Sequence, residues 1–508
     1  MTATWITIGI YIAVLVAIGI VTGRSSKSVA DITVGGRRAG AWLSSLSYGT
    51  AYFSAVMFVG YAGSTGFGFG LWGVLAGLGN AVFGALLAWL LLAQRTQVLA
   101  KGWNLHTMPE FLGKRYDSRA MKLFSCLVIF VFLVPYSASV YKGLGSIAQV
   151  LLGINDTAFM VIIAALAALL LLFGGYLVQA RADFVQGIIM VVGVVLLIFF
   201  VVRSSAVGGA QGIAEYARAH AELGLTPKDG KSWWALLSLV LMTSFGTWGL
   251  PHMIQKFFGI RDKQAARRGI TISTLFALLV AGGGYFIGSL CHLFIKAGAV
   301  NLAGLQEAFP KTFKDFIVPS MLQAANIPDV LMGVVIVLLL AASVSTLCSV
   351  TLTAGSTLVK DFVGTVRPGT KEKSISRGIK LVCVLFVGMS YFVANSSTPI
   401  LDLMSYSWGI ISGSFLAPYV ISLYYKGTNK VGAWGGIFTG FGIAIVPAAN
   451  KIISLFYAPG AIPETVDALS RQGTQYAVVA MACSVAVCFL LSALTRKAVK
   501  PVEAPAEA

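Results

Sequence analysis

Residues 44–65 read SSLSYGTAYFSAVMFVGYAGST, and residues 242–258 read MTSFGTWGLPHMIQKFF. Both belong to apolar stretches long enough to cross a bilayer, yet neither is a uniform lipid-grade helix. In the first, small and hydroxyl residues together with Gly49, Gly60 and Gly63 interrupt the apolar run. In the second, Gly246, Gly249 and Pro251 fall between mid-span and the inner end. Proline removes a helix hydrogen bond and glycine weakens a helix interior, so each stretch is expected to be a helix broken part-way.

The chain around them has 508 residues, of which 57% are hydrophobic and 11% charged. Soluble proteins carry about 25% charged residues, so this composition belongs to a membrane protein. Roughly 20 apolar residues span the hydrocarbon. Thirteen stretches qualify: 4–22, 41–64, 70–93, 123–150, 157–178, 182–202, 233–257, 270–295, 328–357, 378–396, 400–424, 432–455 and 474–494. Strand-type alternation is absent, which favours an all-α integral membrane protein of about thirteen transmembrane helices over a barrel.

The two interrupted stretches are the second and the seventh, so each opens a unit of five spans, 41–202 and 233–424. An odd number of spans inverts the second unit relative to the first. Paired broken helices at matching positions of an inverted repeat mark the central site of a secondary transporter. Glycines that merely let helices approach closely are the other reading; two breaks in register favour the transporter. The expected layout is a leading helix and cytoplasmic loop (1–40), the first repeat (41–202) and an extracellular loop (203–232). The second repeat (233–424) follows, with an extracellular insert at about 296–327, then two trailing helices (425–495) and a cytoplasmic tail (496–508).

A net charge of +18 raises the question of nucleic acid. With the N-terminus outside, however, most of the 37 Lys and Arg fall on the cytoplasmic side: Arg24, Lys27, Arg37 and Arg38, then the clusters within 95–122, 256–268, 360–380 and 496–500. That is the positive-inside asymmetry of a multi-pass protein of the cytoplasmic membrane, and it puts the C-terminus inside. No nucleic-acid partner is expected. Apart from Lys256 and Lys380, at span ends that border these clusters, only Lys142 and Lys451 lie within spans, and Lys142, near an outer end, reads as snorkelling to the interface. The first stretch has no basic n-region or cleavage site and is expected to be a retained helix. All six cysteines fall in spans without a CxxC pair, which implies neither disulfides nor zinc. Segment 302–322, LAGLQEAFPKTFKDFIVPSML, reads as a short amphipathic helix over the outer face, and the tail PVEAPAEA as disordered.

The chemistry gathers in AASVSTLCSVTLTAG (341–355), which follows the apolar run VLMGVVIVLLL. Ala342, Ser345 and Thr346 share one helix face, and Ser349 and Thr353 continue it inward. A hard monovalent cation such as Na⁺ wants several oxygen ligands. Two hydroxyls and a backbone carbonyl supply three, and carbonyls freed near Thr50 and Phe53 in the first broken helix can supply the rest. Ser and Thr also back-bond to their own helix carbonyls, and spacing alone leaves both readings open. For a solute, the cavity between the broken helices is expected to include Ala51, Tyr52, Ser54, Met57, Asn80, Thr243, Thr247, Trp248, Ser405 and Trp408. Each is equally compatible with core packing. His252 reads as a structural residue at a helix end.

AxxST at Ala342–Thr346 resembles the sodium-site motif of the sodium:solute symporter family, whose members take up proline, pantothenate, sugars, sialic acid and iodide. ITVGGRRAGAWLSSLSYGTAYFSAVMFVG (32–60), FGTWGLPHMIQKF (245–257) and MSYSWGIISGSFLAPYVISLYYKG (404–427) are similar to other segments of that family, the second to its proline-type members. The resemblance implies one leading helix, a ten-helix (5+5) inverted-repeat core and two trailing helices. It also implies a sodium site made of the carbonyls of Thr50, Phe53 and Ala342 and the hydroxyls of Ser345 and Thr346. Asp183, in ARADFVQG, matches an element that contributes to a second sodium site in some members, beside positions matching Ser345, Cys348 and Ser349. It is otherwise an ordinary span-end carboxylate paired with Arg181. Asp183 and Ser349 are candidates for a second sodium site or for an ion relay; Cys348 puts a soft sulfur where an oxygen is wanted, which argues against the second ion and for relaying the first inward.

The pocket departs from the resembling branches. Pro135 stands where sialic acid carriers place an arginine. Tyr52 replaces the asparagine of sugar carriers and the aspartate of proline carriers, whose Trp and Tyr on the second broken helix become Thr243 and Thr247. The reading that results is a sodium-coupled symporter importing a small polar organic solute, an amino acid or small organic acid. Its partners are that solute and the lipid bilayer; the sequence leaves the oligomeric state open and is compatible with a monomer. A proton-coupled carrier of the same fold and a passive channel are the alternatives. An enzyme is not expected, because only four histidines are present and they do not cluster with carboxylates on facing helices.

Overall fold

In the computed structural model the described residues are 2–23, 29–457 and 461–496; Arg24, Lys27 and the tail from residue 497 onward lie outside them. The described chain is helical, with no sheet, and its β-bridge between Ala39 and Ile260 stands alone. Among the described residues ten helices are long and apolar enough to cross a membrane, and an eleventh follows when Gly230–Trp248 and Pro251–Phe258, bent by 42° at their break, count as one span. One of the ten, Val56–Gly102, has 47 residues. At about 1.5 Å per residue that is twice the hydrocarbon thickness. It turns back at Gly70, whose φ of +51° suits glycine. The neighbours confirm the reversal: Met57 faces Gly284 and Gly66 faces Gly288 on the way out, then Gly77 faces Ala281 and Trp89 faces Gly269 on the way back. Dividing this segment and admitting the shorter apolar helix Asp156–Leu171 recovers the thirteen expected passes, a count that depends on both steps.

We label the elements α1 (Thr2–Gly23), α2 (Ala41–Tyr52), α3 (56–69), α4 (70–102), α5 (Arg119–Leu152), α6 (Asp156–Gly174), α7 (Tyr176–Arg203), α8 (Gly230–Trp248), α9 (Pro251–Phe258), α10 (Lys263–Lys296), α11 (Asp329–Val366), α12 (Glu372–Ala394), α13 (Ile400–Tyr424), α14 (Lys430–Ser454) and α15 (Gly473–Leu494). Both interruptions expected from sequence are present: α2 stops at Tyr52 before α3, and α8 stops at Trp248 before α9. Just before α2 and just after α9 the two broken helices are tied together, because Ala39 N–H donates to the Gly259 carbonyl at 3.3 Å and Arg261 N–H to the Ala39 carbonyl at 3.0 Å.

The multi-pass bundle is inside-out relative to a soluble protein only at its rim. Phe392, Leu381, Leu490 and Leu494 stand exposed on the outermost helices, where lipid tails cover them. At the centre lies α11, packed against α1, α2, α5, α7 and α12, and its residues from Val335 to Thr357 are all buried. The polar half of α11 is therefore an interior surface. Close approach of α3 and α10 needs glycine on both sides. A Cβ on Gly66 would stand 2.0 Å from the Gly288 carbonyl oxygen, and one on Gly288 2.3 Å from that of Ala62. The insert expected to hold one short outer helix holds two, Leu302–Ala308 and Lys314–Ala324.

Candidate functional site

At the end of α2 the backbone turns extended at Phe53 (φ −106°, ψ 114°). Phe53 N–H still bonds to the Gly49 carbonyl at 3.0 Å, but Ala55 N–H donates instead to the Ser343 hydroxyl of α11 at 3.0 Å. The carbonyls of Thr50 and Ala51 are thus released from the helix ladder and meet α11. The Thr346 hydroxyl lies 3.2 Å from each of them and 3.0 Å from the Ala342 carbonyl. One hydroxyl proton serves one acceptor at a time, so this cluster holds more oxygen lone pairs than protons. Beside it, the Ser345 hydroxyl lies 2.9 Å from the Thr50 hydroxyl and 2.7 Å from Asp183 Oδ1. Thr50, Ala342, Ser345 and Thr346 are brought together as expected. Ala51, expected to face the solute, adds its carbonyl to the cluster, whereas that of Phe53 takes no part in these bonds. Converging neutral oxygens from an unwound helix and a hydroxyl-bearing neighbour are the ligand set a small hard cation takes. Among the described residues no three His, Cys, Asp or Glu converge as a metal site.

Along α11 toward Thr353 the expectation needs correction. Asp183, fully buried, pairs not with Arg181 but with Lys256 of α9, Nζ to Oδ2 at 3.1 Å. Arg181 donates to the Thr22 hydroxyl instead. Ser47 of α2 donates to the same carboxylate oxygen at 2.5 Å and accepts from Lys256 at 2.8 Å. Lys256, counted by sequence with the cytoplasmic basic cluster, is 2% exposed. Ser349 bonds to Gln179 of α7, and Thr353 donates to Gln255 of α9 at 2.6 Å. Cys348 turns its sulfur toward α6, 3.8 Å from the Ala167 carbonyl.

The solute candidates divide. Tyr52 stacks on Phe53 (4.2 Å between centroids), lies 6.2 Å from the Trp408 ring and donates its hydroxyl to the Thr243 carbonyl at 2.6 Å. It therefore bridges the two broken helices. Trp248 donates to the Phe83 carbonyl at 2.9 Å, and Asn80 accepts from Ser244 at 3.3 Å. Thr243 and Thr247 back-bond within α8, and Ser54 caps Val56 N–H. Met57 packs on Gly284, and Ser405 faces Gly473 of α15, so Ser405 is a contact with a trailing helix. Sequence reasoning missed Tyr136 and placed His252 in a structural role. The Tyr136 ring lies 5.6 Å from Trp408 and 5.4 Å from His252. The Tyr136 hydroxyl, Trp408 Nε1 and both His252 nitrogens are buried without a partner among the described residues. Buried polar atoms rarely stay unpaired, and a cluster of them marks where another molecule bonds.

Lys142 of α5 is half-buried and points to the turn between α12 and α13. Its ammonium donates to the carbonyls of Ser396 (2.5 Å) and Thr398 (2.7 Å). Nearby Asp315, in the outer helix Lys314–Ala324, accepts from Ile400 N–H at 3.1 Å at the start of α13. Burial pushes its carboxyl up to about 7, against the opposing pull of that N–H and of Lys142.

Comparison with known proteins identifies the family and the fold. A model of the sodium:solute symporter family matches residues 33–440. A sodium/proline symporter of Staphylococcus aureus (strain bovine RF122 / ET3-1) is 26% identical over 482 residues, 91% of each chain, and another from Staphylococcus aureus is 25% identical over 481 residues with the same coverage. Among solved structures, a Na⁺-coupled sialic acid symporter in a substrate-bound outward-open state aligns with a TM-score of 0.74 at 16% identity over 99% of both chains. A nucleobase-cation-symport-1 family transporter, closed around bromovinylhydantoin, aligns with a TM-score of 0.57 at 12% identity over 93% of this chain and 96% of its own. At such identities these two share the fold. The family match itself runs through both broken helices and all of α11, and on that match the chain belongs to the sodium:solute symporter family.

Proposed function

We propose that this chain couples the inward movement of Na⁺ to uptake of a small polar organic solute, an amino acid or small organic acid, by alternating access. The observation that carries the reading is the cluster of Thr50, Ala51 and Ala342 carbonyls with the Ser345 and Thr346 hydroxyls, built across α2 and α11. A Na⁺ there clamps the broken helix to the centre of the bundle. Because Tyr52, two residues along, joins α2 to α8, the clamp also fixes the two helix breaks relative to each other. Sodium then binds the solute-competent state more tightly than the other, which is what coupling requires. The sodium/proline relatives support an amino acid class, while Tyr136, Trp408 and His252 offer the unfilled hydrogen-bonding capacity that a solute with both donors and acceptors would use. The N-terminus faces outside, the C-terminus the cytoplasm, and residues 41–202 and 233–424 are the two inverted units.

The test is uptake into proteoliposomes of a panel of amino acids, carboxylates and sugars, with Na⁺ replaced by choline at fixed pH. Accumulation above equilibrium that needs Na⁺ is expected. Undiminished accumulation in choline that follows an imposed pH gradient would establish a proton-coupled carrier instead, and equilibration without accumulation a channel.

A further inference from the structure

Lys256 is the buried charge that sodium coupling leaves unexplained. It sits on α9, all eight residues of which are buried. A lysine so placed requires partners, and this one has a complete set. Its Nζ lies 2.8 Å from the Ser47 hydroxyl and 3.1 Å from Asp183 Oδ2. With the Gln179 amide oxygen turned toward it, that oxygen is a third acceptor at 3.1 Å and also takes the Ser349 hydroxyl. An ammonium has three protons, and all three are used. The Tyr176 ring face, 5.2 Å away, adds a cation–π contact. Carboxylate, hydroxyl and amide oxygens around one monovalent positive charge are what an alkali cation would also find. The shell adjoins the candidate sodium cluster through Ser345, which donates to the other oxygen of Asp183 at 2.7 Å.

We propose that Lys256 is a tethered cation that permanently occupies a second cation position, so that this symporter binds one Na⁺ per chain. The proposal rests on the sodium reading above and deepens it. Asp183 and Lys256 together are neutral; a further ion at Asp183, Ser345 and Ser349 would face an ammonium within contact range in a poorly polarisable interior. The void left beside Asp183, Gln186, Ser345 and Cys348 is about 10 Å³, the space of one water, so the ammonium's charge and not want of room bars a bare ion there. The sulfur of Cys348, turned away, does not decide the matter; the lysine does. It also does mechanically what a second ion would do, joining α2 through Ser47 and α7 through Asp183 to α9.

The experiment counts bound ²²Na⁺ at saturation on the purified full chain, with NaCl as the probe and choline chloride holding ionic strength. Wild type is expected to bind one per chain. Lys256→Gln, which removes the charge and keeps a donor, is expected to bind two, and Lys256→Gln combined with Asp183→Asn to return to one. Lys256→Met serves the same purpose if the glutamine variant misassembles. Two ions on wild type would overturn the tether and leave the sodium reading intact, as would one ion on monodisperse Lys256→Gln or Lys256→Met. No ion on wild type would overturn both.

Discussion

Thr346→Val offers the cleanest test of the oxygen cluster, because it keeps a β-branched side chain of the same shape and removes one oxygen. That oxygen lies within 3.2 Å of three carbonyls, those of Thr50, Ala51 and Ala342. Without Na⁺ the variant loses one shared hydrogen bond, about 1 kcal/mol, so its melting temperature in choline falls only slightly. With Na⁺ it loses a ligand. Taking the value of a hydrogen bond to a charged group, about 1.5–3 kcal/mol, as the scale, the half-saturating sodium concentration rises about 10- to 100-fold. The assay is thermal unfolding of the purified chain across a NaCl titration at constant ionic strength, which needs no knowledge of the solute. At 100 times the wild-type dissociation constant, sodium stabilises wild type by about 2.7 kcal/mol; a 100-fold weaker variant gains about 0.4 kcal/mol at the same concentration. A variant that melts like wild type in choline and shows the same sodium midpoint within twofold would refute the assignment of Thr346 as a ligand.

Two further outcomes follow from features away from the ion. Asp315 has a folded-state pKa of about 7 against its ordinary 3.8, so the folded protein holds this proton more tightly than the unfolded one. Stability is then expected to fall as pH rises from 3.8 toward about 7 and to level off above it, and Asp315→Asn should flatten this contribution in melting curves compared between pH 5 and pH 8; an unchanged slope argues against the buried carboxyl. Gly66→Ala would press a methyl group to 2.0 Å from the Gly288 carbonyl oxygen, forcing α3 and α10 apart. Overpacking of this kind costs about 1–3 kcal/mol, and a melting temperature equal to wild type would contradict the close contact.

Much of the fold was legible because bilayer thickness imposes a length on apolar runs, and because glycine and proline mark breaks wherever they fall inside one. Gly246, Gly249 and Pro251 located the second break within a residue or two. The α11 face was equally readable, since i, i+3 and i+4 spacing puts Ala342, Ser345 and Thr346 together whatever surrounds them. What sequence could not supply was the set of facing partners. Lys256 ends an apolar stretch, where lysines ordinarily reach for the interface; its burial depends on α2 and α7 closing around α9. The presence of Ala51 among the released carbonyls, and the absence of Phe53, depends on where Ala55 N–H goes. Ser405 is a related case, since Gly473 of a trailing helix covers its side of α13. Tyr136, His252 and Trp408 come from three separate helices, and only their packing reveals unpaired polar atoms side by side.

The bond from Ala55 N–H to Ser343 has a consequence for how the discontinuity in the first broken helix can change. A gap in a helix held open only by glycine is soft and anneals or frays at little cost. Here the liberated donor is docked on a rigid neighbour, so the gap is a fixed joint with its own template. Rewriting residues 53–55 as strong helix formers would not by itself straighten the rod; Ser343 would have to be changed with them. Two segments nearly 300 residues apart in the chain therefore share the geometry of one joint.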